Sequence, residues 1–156
     1  MMIEAKLNWV NGMKFSCDNR GLITTIDAVK EHGGTDGGPT PKELILNAMM
    51  GCTAMDVVEI LKKMRQDILE FKMEIQAEKT KHYPIHFKTA SLIFLLKGNI
   101  DADKAIKAVD SSLTKYCGVN YMISKSCQIT FKLFLNDLLI NQGPIKFIEP
   151  KSEEAL

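Results

Sequence analysis

Between Leu44 and Val58 the chain is apolar almost without a break, interrupted only by Asn47, Thr53 and Asp56. Just before this run stands Thr40-Pro41-Lys42-Glu43. Thr40 can cap a helix, Pro41 suits the first helical position, and Glu43 follows the cap by three residues, as in a capping box. The pattern predicts a helix from Thr40 to about Arg65, with Lys62, Lys63 and Arg65 at its negative C-terminal end. A helix apolar nearly all round must be covered nearly all round. In a chain of 156 residues one layer of sheet does this with difficulty, so a partner subunit is expected to cover the rest.

Elsewhere the period is that of strands. Ile3, Ala5, Leu7 and Trp9 alternate with polar residues, Asn11-Gly12 signals a turn, and Met13 to Cys17 reads as the hairpin partner. Leu22 to Ile26 follows the Asn19-Arg20-Gly21 turn as a third strand. Residues 31–39 are glycine-rich and read either as a flexible connector or as a loop lining a site. They lack the order of a phosphate loop. Phe71, Met73, Ile75 and Ala77 predict a strand, Ile85 to Lys97 its antiparallel partner, and Asp101 the start of a helix ending near Tyr116. Val119 to Ser124 suggests a short further helix, and the alternation from Cys127 to Leu135 a last strand. The order βββ-α-ββ-α-(α)-β predicts an α+β fold with antiparallel sheets. Residues 1–136 read as one domain, and 137–156 as a C-terminal extension that is partly disordered.

A balance of 20 basic and 19 acidic residues, without a basic stripe, argues against nucleic acid as a partner. No apolar run approaches the roughly 20 residues of a membrane helix, and the first residues lack a signal-peptide pattern. The expected location is the cytoplasm, where Cys17, Cys52, Cys117 and Cys127 are not a structural disulfide framework. Their spacing matches no zinc motif, so no metal is expected.

Buried inert thiols, a reactive thiol, or both remain. Cys17 and Cys127 fall in strand alternation and read as core. Cys52, inside the apolar helix, reads either as a small buried hydrophobe or as a site residue. Cys117 sits at a helix junction beside Gly118, where backbone N–H groups would lower its pKa. Among the histidines, His82 and His86 read as solvated, and His32 is the one in the glycine-rich loop.

The run from Gly38 to Leu46, continued by Met50-Gly51-Cys52-Thr53-Ala54-Met55-Asp56-Val57-Val58, resembles the OsmC/Ohr family, in particular its branch with a Gly-Cys-Thr-x-x-Asp-Val-Val helix. Cys117-Gly118-Val119, 65 residues after Cys52, resembles the second family motif. The resemblance implies an intertwined homodimer with its central helices buried between sheets. It also implies a cysteine peroxidase for organic hydroperoxides. In it Cys52 is oxidised to a sulfenic acid, Cys117 resolves it as a disulfide, and a dithiol restores the pair without any cofactor. The family's helix-start glutamate and its thiolate-holding arginine are not matched: Lys42 takes the first position, with Glu43 one residue later, and Lys42, His32 or Arg20 would have to supply the charge. That departure, with Met49, Met50 and Met55 on the helix, keeps open an alternative: a non-enzymatic dimer that binds a small molecule or serves a stress response on the same fold.

Overall fold

A computed structural model describes residues 2–149. Its two compact units are Met1–Asn47 and Ala48–Leu156. The elements run β1 (Lys6–Asn11), β2 (Lys14–Asn19), β3 (Leu22–Ile26), α1 (Pro41–Lys63), β4 (Asp67–Lys79), β5 (Phe87–Asn99), α2 (Ala102–Ser111), α3 (Gly118–Ser124), β6 (Gln128–Leu135) and β7 (Leu138–Pro144).

The first unit holds the antiparallel meander β1-β2-β3. β1 starts later than the alternation from Ile3 suggested, and all six of its residues are exposed. Arg20 and Gly21 both have positive φ, 59° and 85°, and close the second hairpin. That conformation at two successive residues suits the twist of the flanking strands. The glycine-rich segment is no loose connector: it wraps the buried Asp27. Asp27 accepts from Thr35 N (3.0 Å), Thr35 Oγ1 (2.7 Å), Gly37 N (3.0 Å) and Ala28 N (2.9 Å). The segment passes so close to β3's exit that a Cβ on Gly34 would run into the Ala28 carbonyl.

α1 starts as the sequence predicts. Thr40 N and Oγ1 donate to Glu43 Oε2 (2.7 and 2.8 Å), and Glu43 N donates to Thr40 Oγ1 (3.4 Å), which completes the capping box. At the other end Gln66 N bonds Leu61 O (3.0 Å) and Arg65 N bonds Lys62 O (2.9 Å), with Arg65 at φ 57°. This is a Schellman closure with arginine where glycine is usual. By length and composition α1 could cross a membrane, which the count of apolar residues had not shown. A core helix has the same character, and the stripe Met49, Thr53, Val57 and Leu61 is fully buried within the protein.

In the second unit the strands order β4-β5-β6-β7. Phe71, Met73 and Ile75 on β4 pair with Leu96, Phe94 and Leu92 on β5, which in turn face Leu135, Leu133 and Phe131 on β6. The fully buried Phe94 stacks on Phe71 and meets Phe131 edge-on, both at 6.4 Å. Truncating such a ring to alanine typically costs about 3–5 kcal/mol.

The α+β class holds, but the sheet is not purely antiparallel, because β5 and β6 pair in parallel. Residues 102–124, folded as helices, form the crossover that a parallel pair requires. The extension expected from residue 137 contains β7. It is joined to β6 by Asn136 and Asp137, both at positive φ (49° and 68°). The expected disorder at 150–156 lies outside the described residues.

Candidate functional site

Two segments of the second unit form the site. Cys52 and Asp56 are four residues apart on α1 and therefore share a face. The other segment begins at Asp101, whose side chain accepts from Lys104 N (3.0 Å) and caps α2. After Ser111 the helix widens into a single π turn over Ser112–Tyr116, in which Cys117 N bonds Ser112 O at 3.0 Å. Such widened turns cluster at functional positions. Cys117 then takes an extended conformation and caps α3, with its sulfur accepting from Asn120 N at 3.5 Å in the place of the usual cap oxygen.

The two segments are tied by buried polar contacts. Thr53 Oγ1 donates to Cys117 Sγ at 3.2 Å. Asn120 Nδ2 donates to Thr53 Oγ1 at 2.6 Å and to Met49 O at 3.3 Å. Ser112 Oγ donates to Asp56 Oδ2 at 2.8 Å. Asn120 Oδ1, fully buried, has no partner among the described residues. The sulfurs of Cys52 and Cys117 and a carboxylate oxygen of Asp56 all lie within 4.8 Å of one another.

The two thiols differ in environment. Cys52 is half-buried and Cys117 is 1 % exposed. Burial pushes the Cys117 thiol up to about 11; the bonds from Thr53 and Asn120 oppose this, and the neighbouring Cys52 adds to it. The helix junction was expected to lower the thiol pKa of Cys117. The N–H bond is present, but desolvation of the anion outweighs it. Beside Cys117 a cleft of about 360 Å³ is bounded by Tyr121, Phe147, Ile148 and Glu149. The segment after β7 forms one wall: Ile148 N bonds Thr114 O (2.8 Å), and Glu149 accepts from Tyr121 Oη (3.0 Å) and Lys125 Nζ (2.7 Å). A larger depression of about 820 Å³ lies in the first unit, between the N-terminal segment and the Arg20 turn. Its walls carry neither cysteine nor histidine, so the chemistry follows the thiols and not the volume.

Of the residues singled out in the sequence, Cys52 and Cys117 come together. Glu43, Lys42, His32 and Arg20 lie in the first unit, all exposed. Glu43 is occupied by the Thr40 cap, which holds its carboxylate below the usual range. Arg20 supplies a left-handed turn, and His32 ends a single 3-10 turn over Lys30–His32. Cys127 is buried, and burial raises its thiol pKa. Thr53 and Asp56 stand in the sequence as polar interruptions of the apolar helix and as motif residues beside Cys52, without a role assigned to them, and Ser112 and Asn120 carry no such signal.

This fold, with a thiol pair between the apolar helix and the start of a later one, defines a class. The chain belongs to the OsmC-like protein family, whose model matches residues 34–132. Among individual proteins it is similar to protein YhfA of Escherichia coli (strain K12), at 33% identity over 129 residues, 82% of this chain and 94% of that protein. A hypothetical protein from Aquifex aeolicus VF5 superposes with a TM-score of 0.75 at 23% identity, over 87% of this chain and 98% of that one. A structure from Legionella pneumophila, described as an organic hydroperoxide resistance protein OsmC, has a TM-score of 0.66 at 15% identity, over 85% and 96% of the two chains.

Proposed function

We propose that the protein is a thiol-dependent peroxidase for organic hydroperoxides, working as a cytoplasmic homodimer. The observation that carries this reading is the pair of sulfurs, Cys52 and Cys117, within 4.8 Å of each other on separate elements. A disulfide needs about 2.05 Å, so rotation of side chains has at most about 2.8 Å to close. Cys52 is the more accessible sulfur and takes the role of the attacked thiol. Its thiolate attacks the terminal peroxide oxygen, the O–O bond breaks, and the alkoxide leaves as alcohol after taking a proton. Cys52 is then a sulfenic acid. Cys117 rests as a neutral thiol because of burial and attacks the Cys52 sulfur as it gives up its proton. The S–S bond forms, the S–O bond breaks, and the departing hydroxide takes the Cys117 proton as water. A dithiol then reduces the disulfide, giving up two electrons and two protons and becoming a disulfide itself.

The name of the Legionella structure supports the substrate class, at the level of fold alone. Support for the homodimer comes from α1 itself, where Met55 is 75% and Ile45 37% exposed. The role of Glu43 is that of a cap.

Cumene hydroperoxide consumption with a dithiol tests this reading. Wild type is expected to turn the peroxide over, and Cys52→Ser to do so at the buffer rate. Equal slow consumption by both would sink the peroxidase and leave the small-molecule-binding module as the function.

A further inference from the structure

We propose that, when reduced, Cys52, Asp56 and Cys117 form a binding site for a thiophilic divalent cation of the zinc class, with water in the fourth position. The three donor atoms already lie within 4.8 Å of one another. Tetrahedral zinc, with bonds of about 2.3 Å to sulfur and about 2.0–2.2 Å to oxygen, sets its donors roughly 3.5–3.8 Å apart. Each donor pair therefore needs to close by about 1.3 Å at most.

The supporting contacts are also in place. Ser112 Oγ donates to one oxygen of Asp56 at 2.8 Å, which fixes the carboxylate while its oxygens keep lone pairs for a cation. Thr53 Oγ1 and Asn120 N both donate to the Cys117 sulfur, at 3.2 and 3.5 Å. Metal ligands are commonly oriented by such outer bonds. Two ligands come from one helix face at i and i+4, and the third from a different segment, which gives a donor triangle rather than a row. Cys52 and Asp56 are only half-buried, which leaves a side open for entry and for the water. Two sulfurs select zinc-class ions over magnesium or calcium, which prefer all-oxygen sites.

Binding releases two protons: each thiol exchanges its S–H for an S–metal bond, and Asp56 enters as carboxylate. No electron moves. While the metal is bound neither sulfur is free to attack a peroxide, so the cation would hold the site reduced and silent. The inference shares residues with the proposed redox pair but does not depend on peroxidase chemistry.

The test is anaerobic titration of the reduced, metal-free full-length protein with Co²⁺, followed by Zn²⁺ displacement. One equivalent is expected to bind, with thiolate-to-cobalt charge-transfer absorption, the intense visible bands of four-coordinate cobalt, and release of two protons. Cys52→Ser and Cys117→Ser should each remove much of the charge-transfer band. Ser112→Ala should weaken binding by about 10- to 100-fold, Asp56→Asn by at least as much, and Cys17→Ser with Cys127→Ser not at all. Circular dichroism checks that each variant is folded. An absent charge-transfer band in wild type, or an unchanged one in Cys52→Ser, overturns the proposal. Hydroperoxide consumption by the metal-free protein is scored separately. A protein that consumes peroxide but binds no Co²⁺ loses only this inference, and one that binds Co²⁺ without consuming peroxide loses only the peroxidase.

Discussion

Thr53 Oγ1 donates to Cys117 Sγ at 3.2 Å, across 64 residues of sequence. Thr53 in turn accepts from Asn120 Nδ2, so one hydroxyl links α1 to both the cap and the first turn of α3. The link fixes the sulfur of Cys117 against the helix that carries Cys52. Thr53→Val keeps the shape but removes the hydroxyl and leaves Asn120 Nδ2 with Met49 O alone. A buried polar group deprived of its partner costs about 1–3 kcal/mol. Urea unfolding of the reduced protein should show that loss for Thr53→Val, with Thr53→Ser recovering most of it.

Cys117 is expected to react slowly as a nucleophile toward added reagents. Burial lifts its thiol to about 11, and the thiolate is the reactive form. In the folded, reduced protein iodoacetamide should label Cys52 well before Cys117 at neutral pH. Labelling of Cys117 should accelerate as the pH climbs toward 11 or when urea unfolds the chain. Peptide mapping after timed quenching reads both sites, and faster labelling of Cys117 than of Cys52 at neutral pH would contradict the assignment of their environments.

Asp27 predicts an acid-side transition. Four hydrogen bonds hold the folded carboxyl at about 2 against an ordinary value of 3.8, the bonds from Thr35 and Gly37 leading. The unfolded chain therefore takes up this proton first as pH falls. The stability Asp27 contributes is complete above about 4 and is lost progressively down to about 2. Urea midpoints measured across this window should fall less steeply in Asp27→Asn than in wild type.

What the sequence shows of this protein is mainly what is local. The capping box of Thr40 and Glu43 and the alternation of β4, β5 and β6 lie within short windows. β7 escaped notice because its hairpin uses Asn136-Asp137, two residues that tolerate positive φ without the glycine that usually signals it. The parallel β5–β6 pairing depends on a crossover, and no periodicity reports that. At the site, the two cysteines were legible as motif residues. Ser112 and Asn120 were not, because a polar residue buried by distant partners looks in sequence like any surface serine or asparagine. Cys117 shows the same limit, since its position at a helix start was legible but its burial was not.

The most direct measurement is intact mass followed by peptide mapping of the reduced protein after one equivalent of cumene hydroperoxide. The account predicts loss of two hydrogens per chain, localised to a Cys52–Cys117 disulfide, and a stable Cys52 oxygen adduct only when Cys117 is replaced by serine. Persistent free thiols at both positions, or a disulfide that involves Cys17 or Cys127 instead, would contradict it.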